Sequence, residues 1–162
     1  MRRLLLLAIA LLAFGALPVG AVGQPVNLDS EEVLLDTLAG RLEQAAQLSK
    51  AFLAEGSDKH LRALAQTELR LRRLQATQLR ERLRRWYGIE SARNYPAPSA
   101  KEPDRYAEAL RINHGQIIEL LELSQGLRLR AELRRYMDQI ALDCLVQLPA
   151  RRTASRAQKV AS

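Results

Sequence analysis

The sequence is poor in most residues that carry chemistry. It has one cysteine, Cys144, so no internal disulfide can form in any compartment. Two histidines, His60 and His114, are too few for a zinc cluster, and Cys144 does not complete one. No Ser-His-Asp set and no phosphate-cradling glycine loop can be picked out. An enzyme is therefore not expected. Aromatic residues make up only 4% of the chain, and strand-favouring Val, Ile, Phe and Thr are sparse, which argues against a β core. Leu and Ala, strong helix formers, carry the apolar content. The 162 residues suffice for one domain, and the class is all-α.

The one long apolar run is at the start. Arg2 and Arg3 precede Leu4 to Phe14, and Ala21-Val22-Gly23 supplies small residues for cleavage, so 1–23 reads as a signal peptide. The run is short against the ~20 residues that span a bilayer. An uncleaved anchor is the alternative. The protein is thus expected to be periplasmic or extracellular, with no membrane span after cleavage. Losing Arg2 and Arg3 takes the net charge from +7 to +5.

Over 24–149 the apolar pattern has helical period. Asp29 stands three residues before Glu32, the spacing of a capping box. Leu34, Leu35, Leu38, Leu42, Ala45, Ala46, Ser49 and Leu53 then share one face, and Gly56 suits a left-handed helix end. A second helix opens at Ser57 or Asp58 and ends at Gly88, with Leu61, Ala65, Leu69, Ala76, Leu79, Leu83 and Trp86 in one arc. Arg72 and Arg82 fall inside that arc, with Glu43 or Glu119 as suggested partners. Residues 89–103 hold Pro96, Pro98 and Pro103 and lack periodicity, so they form a linker. A third helix from about Asp104 aligns Tyr106, Leu110, His114, Ile117, Ile118 and Leu121. After a turn at Gly126, a fourth presents Leu129, Leu133, Tyr136, Met137, Ile140 and Cys144 and ends before Pro149. Residues 150–162 are basic and rich in small residues, and read as a disordered tail. Two helical hairpins, 29–88 and 104–148, bury their apolar faces against each other as an antiparallel four-helix bundle.

The hairpins look like diverged copies. Leu34, Leu38, Leu42 and Ala46 superpose on Tyr106, Leu110, His114 and Ile118, and Leu61-Arg62-Ala63 on Leu129-Arg130-Ala131. Ala45-Ala46, Leu64-Ala65, Leu79, Leu83, Trp86-Tyr87-Gly88 and Ile117-Ile118-Glu119 give the chain a resemblance to the ferritin-like "domain of unknown function 305" family, over roughly Glu31 to Leu148. The resemblance implies an exported bacterial four-helix protein. It also implies His-His pairs, each preceded by Met, that look suited to binding copper or another metal. Here those pairs fall on Arg41-Leu42 and Asn113-His114, and the Met positions are Leu38 and Leu110. A motif Glu falls on Gln75, and a motif Trp on Arg82. The chain reads as a degenerate member lacking most of the His/Met motif.

Three groups of candidate residues remain. His114, Met137 and Cys144 form a residual metal set for copper, His114 and Met137 lying at similar depth about Gly126; the plainer reading of His114 is a core imidazole bonded to a Gln or Tyr. Arg62, Arg70, Arg73, Arg80 and Arg84 form a stripe opposite the apolar arc, either a solvated face or an anion-binding surface. His60, near a helix start, is expected to be solvent-exposed. The expected function is a non-catalytic structural or interaction module with no cofactor. Its partner would be an unknown protein or an anionic envelope surface, not nucleic acid. The alternatives are a copper-binding envelope protein and an Arg-rich periplasmic chaperone or anionic-surface binder.

Overall fold

The structure, a computed structural model, describes the backbone of residues 30–90 and 93–160, and side chains as far as Gln147. The expected signal peptide and the capping residue Asp29 lie outside the described residues.

Helix α1 spans Glu31–Glu55 and is capped by Ser30, whose hydroxyl accepts from the Val33 N–H at 3.2 Å. The cap is thus Ser30, one residue later than the expected Asp29. Helix α2 spans Lys59–Tyr87, with the Asp58 carboxylate accepting from the Leu61 N–H at 2.8 Å. The two glycine stops differ. Gly88 is left-handed at φ 71°, whereas Gly56 is extended at φ −72°, contrary to the left-handed end expected there. Glycine is required at Gly56 for space: a Cβ would stand 2.5 Å from the Phe52 ring. Helix α3 spans Pro103–Leu123, opening on the proline whose missing N–H needs no partner at that position. A 3₁₀ turn at Ser124–Gly126 leads to α4, Ala131–Val160. Helix α4 starts two residues after Leu129. It also runs past Pro149, where an end and a disordered tail were expected; Ala, Arg, Gln and Lys in 150–160 are good helix formers that outweigh one proline.

The chain runs up α1 and down α2, then returns through 88–102 before running down α3 and up α4. Helix α1 neighbours α2 and α3, while α4 neighbours α3 and α2, so every adjacent pair is antiparallel. One long crossover in a four-helix bundle is the ferritin-like connectivity. The crossover lies along α1. Arg93 donates its backbone N–H to Asp36 at 2.7 Å, Gln44 donates to the Pro96 carbonyl at 2.8 Å, and the Arg41 guanidinium sits 4.0 Å above the Tyr95 ring.

Two apolar clusters fill the bundle. One, at the end where α1 begins, contains Leu34, Leu38, Leu42, Leu79, Leu83, Ile117, Leu133, Met137, Ile140 and Cys144. The other, near the α1–α2 turn, contains Leu48, Phe52, Leu61, Ala65, Tyr106 and Leu110. There Phe52 stacks on Tyr106 at 4.4 Å, and the Tyr106 hydroxyl bonds Ser49 at 3.0 Å. No helix of the described residues is long and apolar enough to cross a membrane.

The register of the expected repeat brings equivalent residues into contact. In the register that puts Leu34 on Tyr106, Arg41 falls on Asn113; the Asn113 amide donates to the Arg41 carbonyl at 3.1 Å. In the register that puts Leu61 on Leu129, Gln75 falls on Asp143, and these bond at 2.8 Å. Self-contacts of this kind lie where a pseudo-twofold axis passes through the bundle.

Candidate functional site

Between the apolar clusters lies a buried polar centre. The α2 arc that faces the core carries Glu68 and Arg72 one turn apart, and α3 brings His114 to them; the side chains of all three are fully buried. Arg72 Nε donates to Glu68 Oε2 at 3.2 Å, and Nη1 to Gln75 Oε1 at 2.8 Å. His114 Nε2 stands 3.0 Å from Glu68 Oε2 and 3.3 Å from Arg72 Nη2. A carboxylate only accepts and a guanidinium only donates. That ring nitrogen therefore serves Glu68 when it carries hydrogen and Arg72 when it does not. Gln75 passes the network to Asp143 on α4, which also accepts from Gln139 at 2.9 Å.

A buried charge is tolerated only when paired and hydrogen-bonded. Arg72 meets both conditions. Burial works to lower its pKa, but the Cys144 sulfur, Glu68 and Asp143 outweigh it, so the guanidinium stands above its ordinary value and stays charged. Ion pairing with Glu68 leaves the centre near neutrality around one fixed internal cation.

The expected metal set straddles the polar centre and the apolar cluster beside it. His114 belongs to this centre, bonded to Glu68 and Arg72. Met137 and Cys144 lie in the apolar cluster, two turns apart on one face of α4, and the Cys144 sulfur also reaches the centre, where it raises the Arg72 pKa. Soft donors and imidazole suit Cu(I), but a guanidinium stands within hydrogen-bond distance of the only imidazole among them. Arginine cannot ligate, and its charge repels a second cation. Among the described residues no group of three His, Cys, Asp or Glu side chains is arranged to hold a metal.

The arginine stripe is divided. Arg62 donates to the carbonyls of Leu53 and Gly56, closing the end of α1. Arg80 pairs with Glu43 at 3.3 Å. Arg70, Arg73 and Arg84 are exposed. The suggested partners of the inward arginines also need correction: Arg72 pairs with Glu68 and Arg82 with Glu132, because both acids come within reach in the folded helices while Glu43 is taken by Arg80. His60 is exposed, as expected. Glu68 is a core residue that the apolar period does not mark, although it lies four residues before Arg72 on the same arc, the spacing of a helical ion pair.

No protein-family model matches the sequence, and no curated protein matches it. The fold is similar to a solved structure of CopM in the Cu(I)-bound form, with a TM-score of 0.67 and 12% identity, covering 80% of this chain and 97% of that one.

Proposed function

We propose that this chain is an exported, non-catalytic helical bundle, a structural or interaction module whose core is organised by an internal arginine instead of a bound metal. One observation carries the reading: the Arg72 guanidinium is wholly buried in the bundle centre and held by Glu68, Gln75 and His114. The resemblance of the sequence to ferritin-like exported proteins supports the location and the loss of ligands. A chaperone-like role is a variant of the same reading, with the exposed arginines as the contact surface.

The rival reading is a residual copper site built from His114 with Met137 and Cys144. In its favour stands the likeness in fold to CopM, whose structure was solved with Cu(I) bound. Titrating Cu(I) into the purified protein against a competing chelator separates the two. Absence of stoichiometric binding is expected. One tightly held ion per chain, lost in His114→Ala, would overturn the arginine-centred reading and establish the copper one.

A further inference from the structure

The outward surface of α2 is chemically unlike the rest of the bundle. With Arg62 and Arg80 engaged in the fold, four arginines on this helix remain exposed: Arg70, Arg73, Arg84 and Arg85. Among the described residues none of the four has an ion-pair partner. At 100° per residue they fall on the half of α2 turned away from the core. Glu81 is the one acid exposed among them. In their midst stands Leu74, 56% exposed and directly following Arg73. Helix α4, beside α2, carries exposed Arg135 and Asp138 and two more uncovered apolar side chains, Leu142 at 42% and Val146 at 71%. From Cys144 to Ser162 the sequence has no acid, while Arg151, Arg152, Arg156 and Lys159 follow one another on the helical backbone of α4.

We propose that this outward α2 surface docks the protein on an anionic phospholipid bilayer, the guanidinium groups meeting phosphates and Leu74 entering the headgroup boundary. Arginine suits phosphate oxygens because its planar fork can donate two hydrogen bonds at once. Leu74, flanked by Arg70 and Arg73, offers an apolar side chain to the headgroup boundary beside the guanidinium groups that would meet phosphates. Leu74 also chooses among polyanions. A polyphosphate offers it nothing to enter, whereas a bilayer does. The inference deepens the interaction-module reading and rests on it, yet the two fail separately, because binding to vesicles does not depend on whether Cu(I) binds.

The test is co-sedimentation of the purified protein with phosphatidylcholine vesicles made with or without phosphatidylglycerol. Binding is expected only with phosphatidylglycerol and should weaken as salt is raised. An arginine near an anionic surface contributes roughly fivefold in binding, so Arg70→Gln/Arg73→Gln/Arg84→Gln should lower partitioning by roughly a hundredfold. Leu74→Ser should lower it several-fold. Circular dichroism should show both variants folded, since all four side chains are exposed. Binding that ignores phosphatidylglycerol, or survives the triple substitution, would overturn the proposal. So would an unchanged Leu74→Ser protein that binds heparin as tightly as vesicles, which would assign the surface to polyanions in general. Self-association without vesicles, abolished by Leu74→Ser, would assign it to a second copy of the chain and equally overturn the bilayer.

Discussion

The pseudo-twofold repeat lets the bundle be compared with itself. On one side of the axis stand Glu68, Arg72 and His114; the equivalent positions on the other are Tyr136, Ile140 and Leu42. The first set is a buried ionic network, and the second belongs to the neighbouring apolar cluster. The same backbone positions thus tolerate either solution, provided each is complete. A half-complete solution is the costly one, because removing one member of a buried pair strands the other charge. Arg72→Ala should therefore cost about 3–5 kcal/mol, read as a shift in the urea unfolding midpoint. Converting the whole set to apolar residues, as Glu68→Leu/Arg72→Met/His114→Leu, should return the stability to within about 2 kcal/mol of the parent. A triple variant as unstable as the single one would show that the two sides are not interchangeable, and that the ionic network has a role beyond filling its half of the core.

The outer surfaces of the two repeats differ for another reason, which is that the crossover is pinned along α1. Gly40 lies under it, and a Cβ there would stand 2.5 Å from the Arg93 carbonyl and 2.8 Å from the Tyr95 ring. Its equivalent on α3 is Ile112, 37% exposed. Gly40→Ala should cost about 1–3 kcal/mol by forcing the crossover outward. Ile112→Ala should cost under about 1 kcal/mol. Thermal unfolding of the two variants checks the pair. Equal effects would mean that the crossover does not press on α1.

How much of this could be read beforehand depends on whether a residue obeys the helical period. The four helices, their inward Leu, Ile and Ala positions and the proline-rich crossover follow from periodicity and turn residues, which are local. The polar centre was half legible. Arg72 was visible as a cation in an apolar arc, but its partners depend on which helices face each other. The link from His114 to Glu68 crosses the bundle between α3 and α2, and that from Gln75 to Asp143 crosses from α2 to α4. No spacing along one helix reports such a contact. The fate of the arginine stripe was hidden for the same reason, since Arg62 and Arg80 find their partners on α1 and in the turn that follows it.

The smallest effect concerns Tyr136, the counterpart of Glu68. Where one side of the axis buries a carboxylate, the other half-buries a phenol, its hydroxyl 3.4 Å from the Gln75 carbonyl and its ring 4.6 Å from the Arg82 guanidinium. Burial pushes the Tyr136 pKa up to about 12; Asp143 adds to the rise, while Arg82 and Arg72 oppose it. An unfolded tyrosine ionises near 10. With the folded value the higher, the contribution of Tyr136 is complete below about pH 10 and is lost as the pH rises toward 12. Tyr136→Phe loses one long hydrogen bond and should cost under about 1 kcal/mol at neutral pH. It removes the ionisable group as well, so the gap between variant and parent should close, and then reverse, above about pH 10. Urea midpoints at neutral pH and at about pH 11 test this. A gap that stays constant would mean that the phenol ionises alike in the folded and unfolded chains, and that the apolar side of the axis is wetter than its ionic twin.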